Sequence, residues 1–192
     1  MKEDFLTSTL TNVQNAAREN REKAANTVLT HTELFSQLVE YTFKTDDKLS
    51  IKAAWILEWI CTHYGLDKLL PHLEYFTKNL HTLQFDSATR PCAKICEHIA
   101  IAYDLEQEHP IKSNLTSEQI DKIIEVGFDW LMGNQKIAVK AYTMTTLFLF
   151  GKQIDWVHPE LEHIIKTKVI HESKGCEARG KHVLRLIEKQ KL

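Results

Sequence analysis

Glycine and proline are scarce in this chain, at six and four among 192 residues. That scarcity argues against a turn-rich all-β protein and leaves no glycine-rich loop to cradle a phosphate. An excess of one charge is missing too. The 24 Lys and Arg nearly balance 26 Asp and Glu, a formal net of −2, so the global attraction that drives general nucleic-acid binding is absent. Long apolar runs are lacking as well. The richest, residues 141–151 (AYTMTTLFLFG), is far too short to span a bilayer and contains threonines. The opening MKEDFLTSTLTNVQNAAREN carries acids and no uninterrupted apolar core, so it does not read as a secretory signal.

Cysteine is limited to positions 61, 92, 96 and 176. Without a secretory signal these read as reduced thiols of a cytosolic protein. Cys92 and Cys96 are four apart and share a helix face, which supplies half of a thiolate metal site. No Cys or His pair at matching spacing completes it, so both are expected as small buried hydrophobes. The ten histidines form no H-E-x-x-H arrangement. G-x-S-x-G, Walker A and G-x-G-x-x-G segments are also missing. The expectation is a protein with no catalytic residues, no metal and no cofactor.

What is present is helical periodicity. At 43% hydrophobic and 26% charged the chain is an ordinary globular one, long enough for a single domain over residues 1–192. Apolar residues recur near every 3.6 positions. The pattern predicts helices over residues 5–13, 17–29 and 33–43, then one to about residue 63 that Asp46 or Asp47 caps. That helix is apolar on nearly every side, which calls for neighbours all round it. Gly65 stops it, and Pro71 is expected in the first turn of the next. Asp86 opens another helix, and residues 104–115 (DLEQEHPIKSNL) read as an exposed loop. Thr116 and Gln119 match a capping box. Asn134 and Ser173 are expected caps, and Pro159 begins a short helix between them. The fold class is all-α, with nine or ten helices.

One segment recurs: SIKAAWILEWI (50–60), ATRPCAKICEH (88–98), AVKAYTMTTLF (138–148) and EARGKHVLRLI (177–187). Aligned, they place a cation at Lys52, Arg90, Lys140 and Arg179, spaced 38, 50 and 39 residues apart. Ala53, Pro91, Ala141 or Gly180 follows directly. A capping residue sits six positions ahead in three of them (Asp46, Asn134, Ser173), and Asp86 sits four ahead in the other. A period near 40 built from helix pairs marks stacked helical repeats.

Over about residues 30 to 190 the chain therefore resembles the HEAT-like, armadillo-type repeat proteins. The resemblance implies a right-handed α-α superhelix of about four hairpins plus N-terminal helices. In that family a cap-side Asp and a downstream Arg on the second helix tie adjacent repeats together. Here Asn134 and Ser173 replace that Asp, and Lys52 and Lys140 replace the Arg. The stretches DDKLSIKAAWILEWIC, LLPHLEYF, DSATRPCAKICEHI, FDWL, IAVKAYTM and IDWVHPELEHII also resemble a family of short bacterial helical-repeat proteins sometimes labelled adenylosuccinate lyase. The mobile lyase loop, of the form S-S-x-M-P-x-K-x-N, has no counterpart. The chain has no Ser-Ser pair, and none of Met1, Met132 and Met144 precedes proline.

In such a stack the second helices line the concave side. Lys52, Trp55 and Trp59 would form one stripe with Lys48, and Arg90, Lys140 and Arg179 would continue it as a column of cations. The expected function is a binding or scaffold protein whose groove contacts a protein partner or a small anionic ligand. The competing reading of the same positions is packing: cations paired with cap-side carboxylates, tryptophans in the core. A second constellation, Asp129-Trp130 and Asp155-Trp156, resembles the aspartate and tryptophans of HEAT-like alkylpurine DNA glycosylases. That resemblance implies a DNA-repair enzyme as the alternative, with the lyase label more remote.

Overall fold

The computed structural model describes residues 5–191. Every regular element among them is helical: α1 (Phe5–Thr11), α2 (Arg18–Thr30), α3 (Glu33–Thr42), α4 (Leu49–His63), α5 (Leu73–Asn79), α6 (Asp86–Asp104), α7 (Pro110–Asn114), α8 (Ser117–Met132), α9 (Ile137–Phe150), α10 (Val157–Thr167) and α11 (Lys174–Gln190). Short 3₁₀ turns cover Asp67–His72, Leu80–Thr82 and Val169–His171. The fold is all-α, as the periodicity predicts. It divides into two compact units, Met1–Ile95 and Cys96–Leu192, with the division inside α6.

In the first unit α4 packs against α1, α2 and α3. This is why it is apolar all round: Ala53, Ala54, Ile56, Leu57, Trp59, Ile60 and Cys61 are all buried. Each large side chain hidden in this way contributes about 1.5–3 kcal/mol. Asp47, rather than the exposed Asp46, serves the helix start. Its Oδ1 accepts from the Leu49 N–H at 2.9 Å and its Oδ2 from the Tyr41 hydroxyl at 2.5 Å. The Tyr41 bond, then the Leu49 one, holds this carboxyl below its ordinary range. Beyond the helix Gly65 takes φ +85°, a left-handed conformation that costs glycine nothing. Pro71 departs from expectation. It lies inside the 3₁₀ turn Asp67–His72, ahead of α5 rather than in its first turn.

In the second unit the capping box forms. Gln119 N–H donates to Thr116 Oγ1 at 3.3 Å, and Thr116 N–H donates to Gln119 Oε1 at 3.1 Å. Residues 104–115 are not all loop. Fully buried Ile111 anchors α7, whose start is capped by the ring Nδ1 of His109, 3.1 Å from the Ile111 N–H. Ser173 caps α11 through the Cys176 N–H at 3.1 Å. Asn134 does not cap α9. The cap position is Lys136, which makes no side-chain cap bond, and Asn134 stands two residues too early to reach the first-turn N–H groups. Helices α8 and α9 pack together, as do α10 and α11; α9 also meets α11, and α8 meets α10.

At three of the four aligned cations the small residue that follows has a packing reason; Ala141 is only half-buried. Ala53 and Pro91 are buried. A Cβ on Gly180 would come within 2.9 Å of Cγ2 of both Ile165 and Ile170.

Candidate functional site

In the first unit the stripe on α4 fans out to three neighbours. Lys52 donates from Nζ to the Thr11 carbonyl at 3.1 Å, satisfying a carbonyl at the end of α1 that has no intrahelical donor. Trp55 donates from Nε1 to the Ser87 carbonyl at 3.1 Å. That carbonyl lies four residues before Pro91, which has no N–H to give it, so the indole supplies the hydrogen bond the proline withholds. Lys52 and Trp55 are both half-buried, and Arg90, one turn beyond Ser87 on α6, is exposed. Among the described residues Arg90 makes no hydrogen bond or ion pair.

Trp59 does not join that surface. It is only 4% exposed, stacked on His63 at 3.8 Å and covered by the Arg21 guanidinium at 4.6 Å. Its Nε1 and the Nε of Arg21 are buried without a partner among the described residues. Beside it lies a buried charged cluster that the helical periodicity does not reveal. Glu58, 7% exposed, accepts from Lys94 Nζ at 2.7 Å, Thr62 Oγ1 at 2.9 Å and Arg21 Nη1 at 3.1 Å. Burial alone would raise this carboxyl. The Lys94 bond and charge, with Thr62 and Arg21, outweigh it and leave the group below its ordinary range. A signal was available, since Glu58 is the one acid in LSIKAAWILEWICTH and an acid on so apolar a helix needs partners.

In the second unit Lys140 is 1% exposed. Its Nζ donates to both oxygens of Glu172 at 2.6 Å and to the Leu131 carbonyl at 3.1 Å. Glu172 precedes the cap Ser173, so this pair ties the α8–α9 hairpin to the start of α11. An open cleft of about 590 Å³ lies above it, lined by Asn134, Lys136, Ile137 and Ser173 among others. Arg179 is held by Thr145 Oγ1 and, at 3.5 Å, by Glu97. Of the second constellation, Trp130 is buried while Asp129, Asp155 and Trp156 are exposed. The ring that meets Trp156 is Phe128, at 5.6 Å between centroids, not Trp130.

All four cysteines are buried; burial pushes the Cys61 thiol up to about 12 and the Cys96 thiol well above its ordinary value, which withholds the thiolate a nucleophile needs. Among the described residues no group of three or more His, Cys, Asp or Glu side chains could hold a metal ion. No helix among them is long and apolar enough to cross a membrane. Compared with known proteins, the chain matches no family model, no curated protein and no solved structure.

Proposed function

We propose that this protein is a non-catalytic binder of the HEAT-like helical-repeat kind. Its Lys52–Trp55–Arg90 face receives a carboxylate-bearing segment of a protein partner or a small anionic ligand. One observation carries the binding reading: an exposed guanidinium without a protein partner stands one turn from the carbonyl that fixes an indole ring in place. Guanidinium and ammonium supply charged donors, and the indole supplies a flat wall. The repeat reading draws support from the second unit. There two consecutive hairpins meet through both their first and their second helices, and Lys140 with Glu172 links them as a family tie would. In this reading Trp59 and Lys140 shape the protein, and Arg179 is already engaged.

The test titrates the full chain into a fluorescein-labelled glutamate-rich peptide and, separately, measures binding of inorganic phosphate. Losing a charged hydrogen bond costs about 1.5–3 kcal/mol, so Arg90→Glu should weaken binding roughly tenfold or more. Lys140→Met should leave it unchanged. Equal affinity of the Arg90→Glu and unaltered proteins, or no binding of either probe, would remove the proposal.

A further inference from the structure

A different surface, on the first helices of the second unit, is left unexplained by that reading. On α8 the residues Asp121, Glu125 and Asp129 are spaced i, i+4, i+8 and all three are exposed. Among the described residues none of their side chains has a hydrogen bond or ion pair, unlike Glu118, which Lys122 answers at 2.9 Å. Like charges at this spacing repel and weaken a helix by a few tenths of a kcal/mol each. The fold does not use the row.

Apolar side chains lie on the same face. Phe128 falls between Glu125 and Asp129, and Met132 is 52% exposed. Helix α10 packs against α8 and sets Trp156, also 52% exposed, against Phe128 with the rings tilted by 33°. Asp155 and Glu160, both exposed, stand on either side of this tryptophan in the chain. Lys168 is engaged at that end, its Nζ donating to the Met132 carbonyl at 2.7 Å. The result is an open aromatic pair inside an acidic surround.

We infer that this face docks an arginine-bearing segment of a partner protein, with a guanidinium seated on the Trp156–Phe128 pair and held by the neighbouring carboxylates. Charge complementarity selects a basic occupant. The indole selects arginine over lysine, because a planar, weakly hydrated guanidinium stacks on a ring where a compact ammonium stays hydrated. Half-exposed tryptophan with an acidic rim is also the composition of a binding hot spot rather than of ordinary solvated surface. The inference does not rest on the Arg90 face, which calls for a partner of opposite charge.

The experiment follows fluorescence anisotropy of a labelled peptide with four Arg-Gly-Gly repeats as the full chain is added, with Lys-Gly-Gly and Glu-Gly-Gly peptides in parallel. The arginine peptide should bind, the lysine peptide at least about threefold more weakly, and the glutamate peptide not on this face. Glu125→Gln with Asp129→Asn should weaken arginine-peptide binding about tenfold, and Trp156→Ala about fivefold. The same charge change placed elsewhere, Glu106→Gln with Glu108→Gln, should alter it less than twofold. These positions are exposed, so circular dichroism and urea midpoints should show every variant folded. Four results would each overturn the proposal: no binding of the arginine peptide, equal binding of the lysine peptide, equal weakening by the distant pair, or self-association of the chain through this face in sedimentation.

Discussion

The first unit takes an acid inside on its central helix, Glu58 of α4, while the second takes a base, Lys140 of α9, and the two are satisfied differently. Glu58 draws on three donors from three directions. Two of them, Arg21 and Lys94, keep 25% and 28% of their side chains exposed. Lys140 is 1% exposed, and it leans on one carboxylate and one backbone carbonyl. The acid thus shares its charge among three side chains, whereas the base depends on a single carboxylate, Glu172, whose side chain is 29% exposed. Buried charge is costly in both places, and such pairs fix which helices meet more than they add net stability. The difference also says which cations remain for function. Lys94, Arg21 and Lys140 are committed, and Arg90 is not.

The sharpest way to break this comparison is to remove the partner of each buried charge. Glu172→Ala leaves the buried ammonium with one backbone carbonyl in place of a carboxylate, so we expect a loss of about 3–5 kcal/mol in urea unfolding. Lys140→Met removes the charge itself while keeping most of the volume, and should cost less than about 1.5 kcal/mol. If the two variants are equally unstable, the Lys140 ammonium does not depend on Glu172. In the first unit Glu58→Gln leaves two cations that can turn to solvent, and its expected cost is about 1–2 kcal/mol. A loss as large as that of Glu172→Ala would erase the distinction between the units.

Gly180→Ala probes packing instead of charge. Alanine gains about 1 kcal/mol of helix propensity over glycine. Its methyl, however, would lie 2.9 Å from Cγ2 of both Ile165 and Ile170, and crowding of that kind costs about 1–3 kcal/mol. The expected result is a net loss of about 1 kcal/mol, read as a lowered urea midpoint. A stabilised variant would show that α11 can shift away from those isoleucines.

Helix positions were legible because period, caps and stops are local: Thr116 with Gln119, Ser173 and Gly65 each act within a few residues of themselves. Asn134 misled because capping depends on where the turn after Gly133 ends, and composition does not say that. The candidate site was partly legible for a different reason. Alignment of the four segments locates their cations, but the fate of each is set by what comes close from elsewhere in the chain. Thr11 meets Lys52, and Glu172 covers Lys140 from 32 residues away. Trp59 and Glu58 show the same limit. Neighbours in sequence, they belong to one buried cluster because Arg21, distant in the chain, folds over both.

The smallest effect separates exposed ion pairs from the buried ones. Glu162 is bonded by Lys166 at 2.5 Å and Lys191 at 2.8 Å, and these contacts, Lys166 first, hold its carboxyl near 2 against an ordinary 4.5. A folded value below the unfolded one stabilises the native state above about 4.5, and that contribution fades as pH falls from there toward 2. Glu58 is lowered as well, so its contribution has the same sign. Exposed pairs are worth about 0.2–1 kcal/mol and are screened by salt. Glu162→Gln should therefore cost only a few tenths of a kcal/mol near pH 7. The gap to the unaltered protein should narrow as pH falls below about 4.5 and close only near pH 2, while the Glu58→Gln gap at pH 7 should exceed it severalfold. Urea midpoints of both variants across that range decide the matter; a Glu162→Gln gap that persists undiminished in acid would mean the side chain packs rather than pairs.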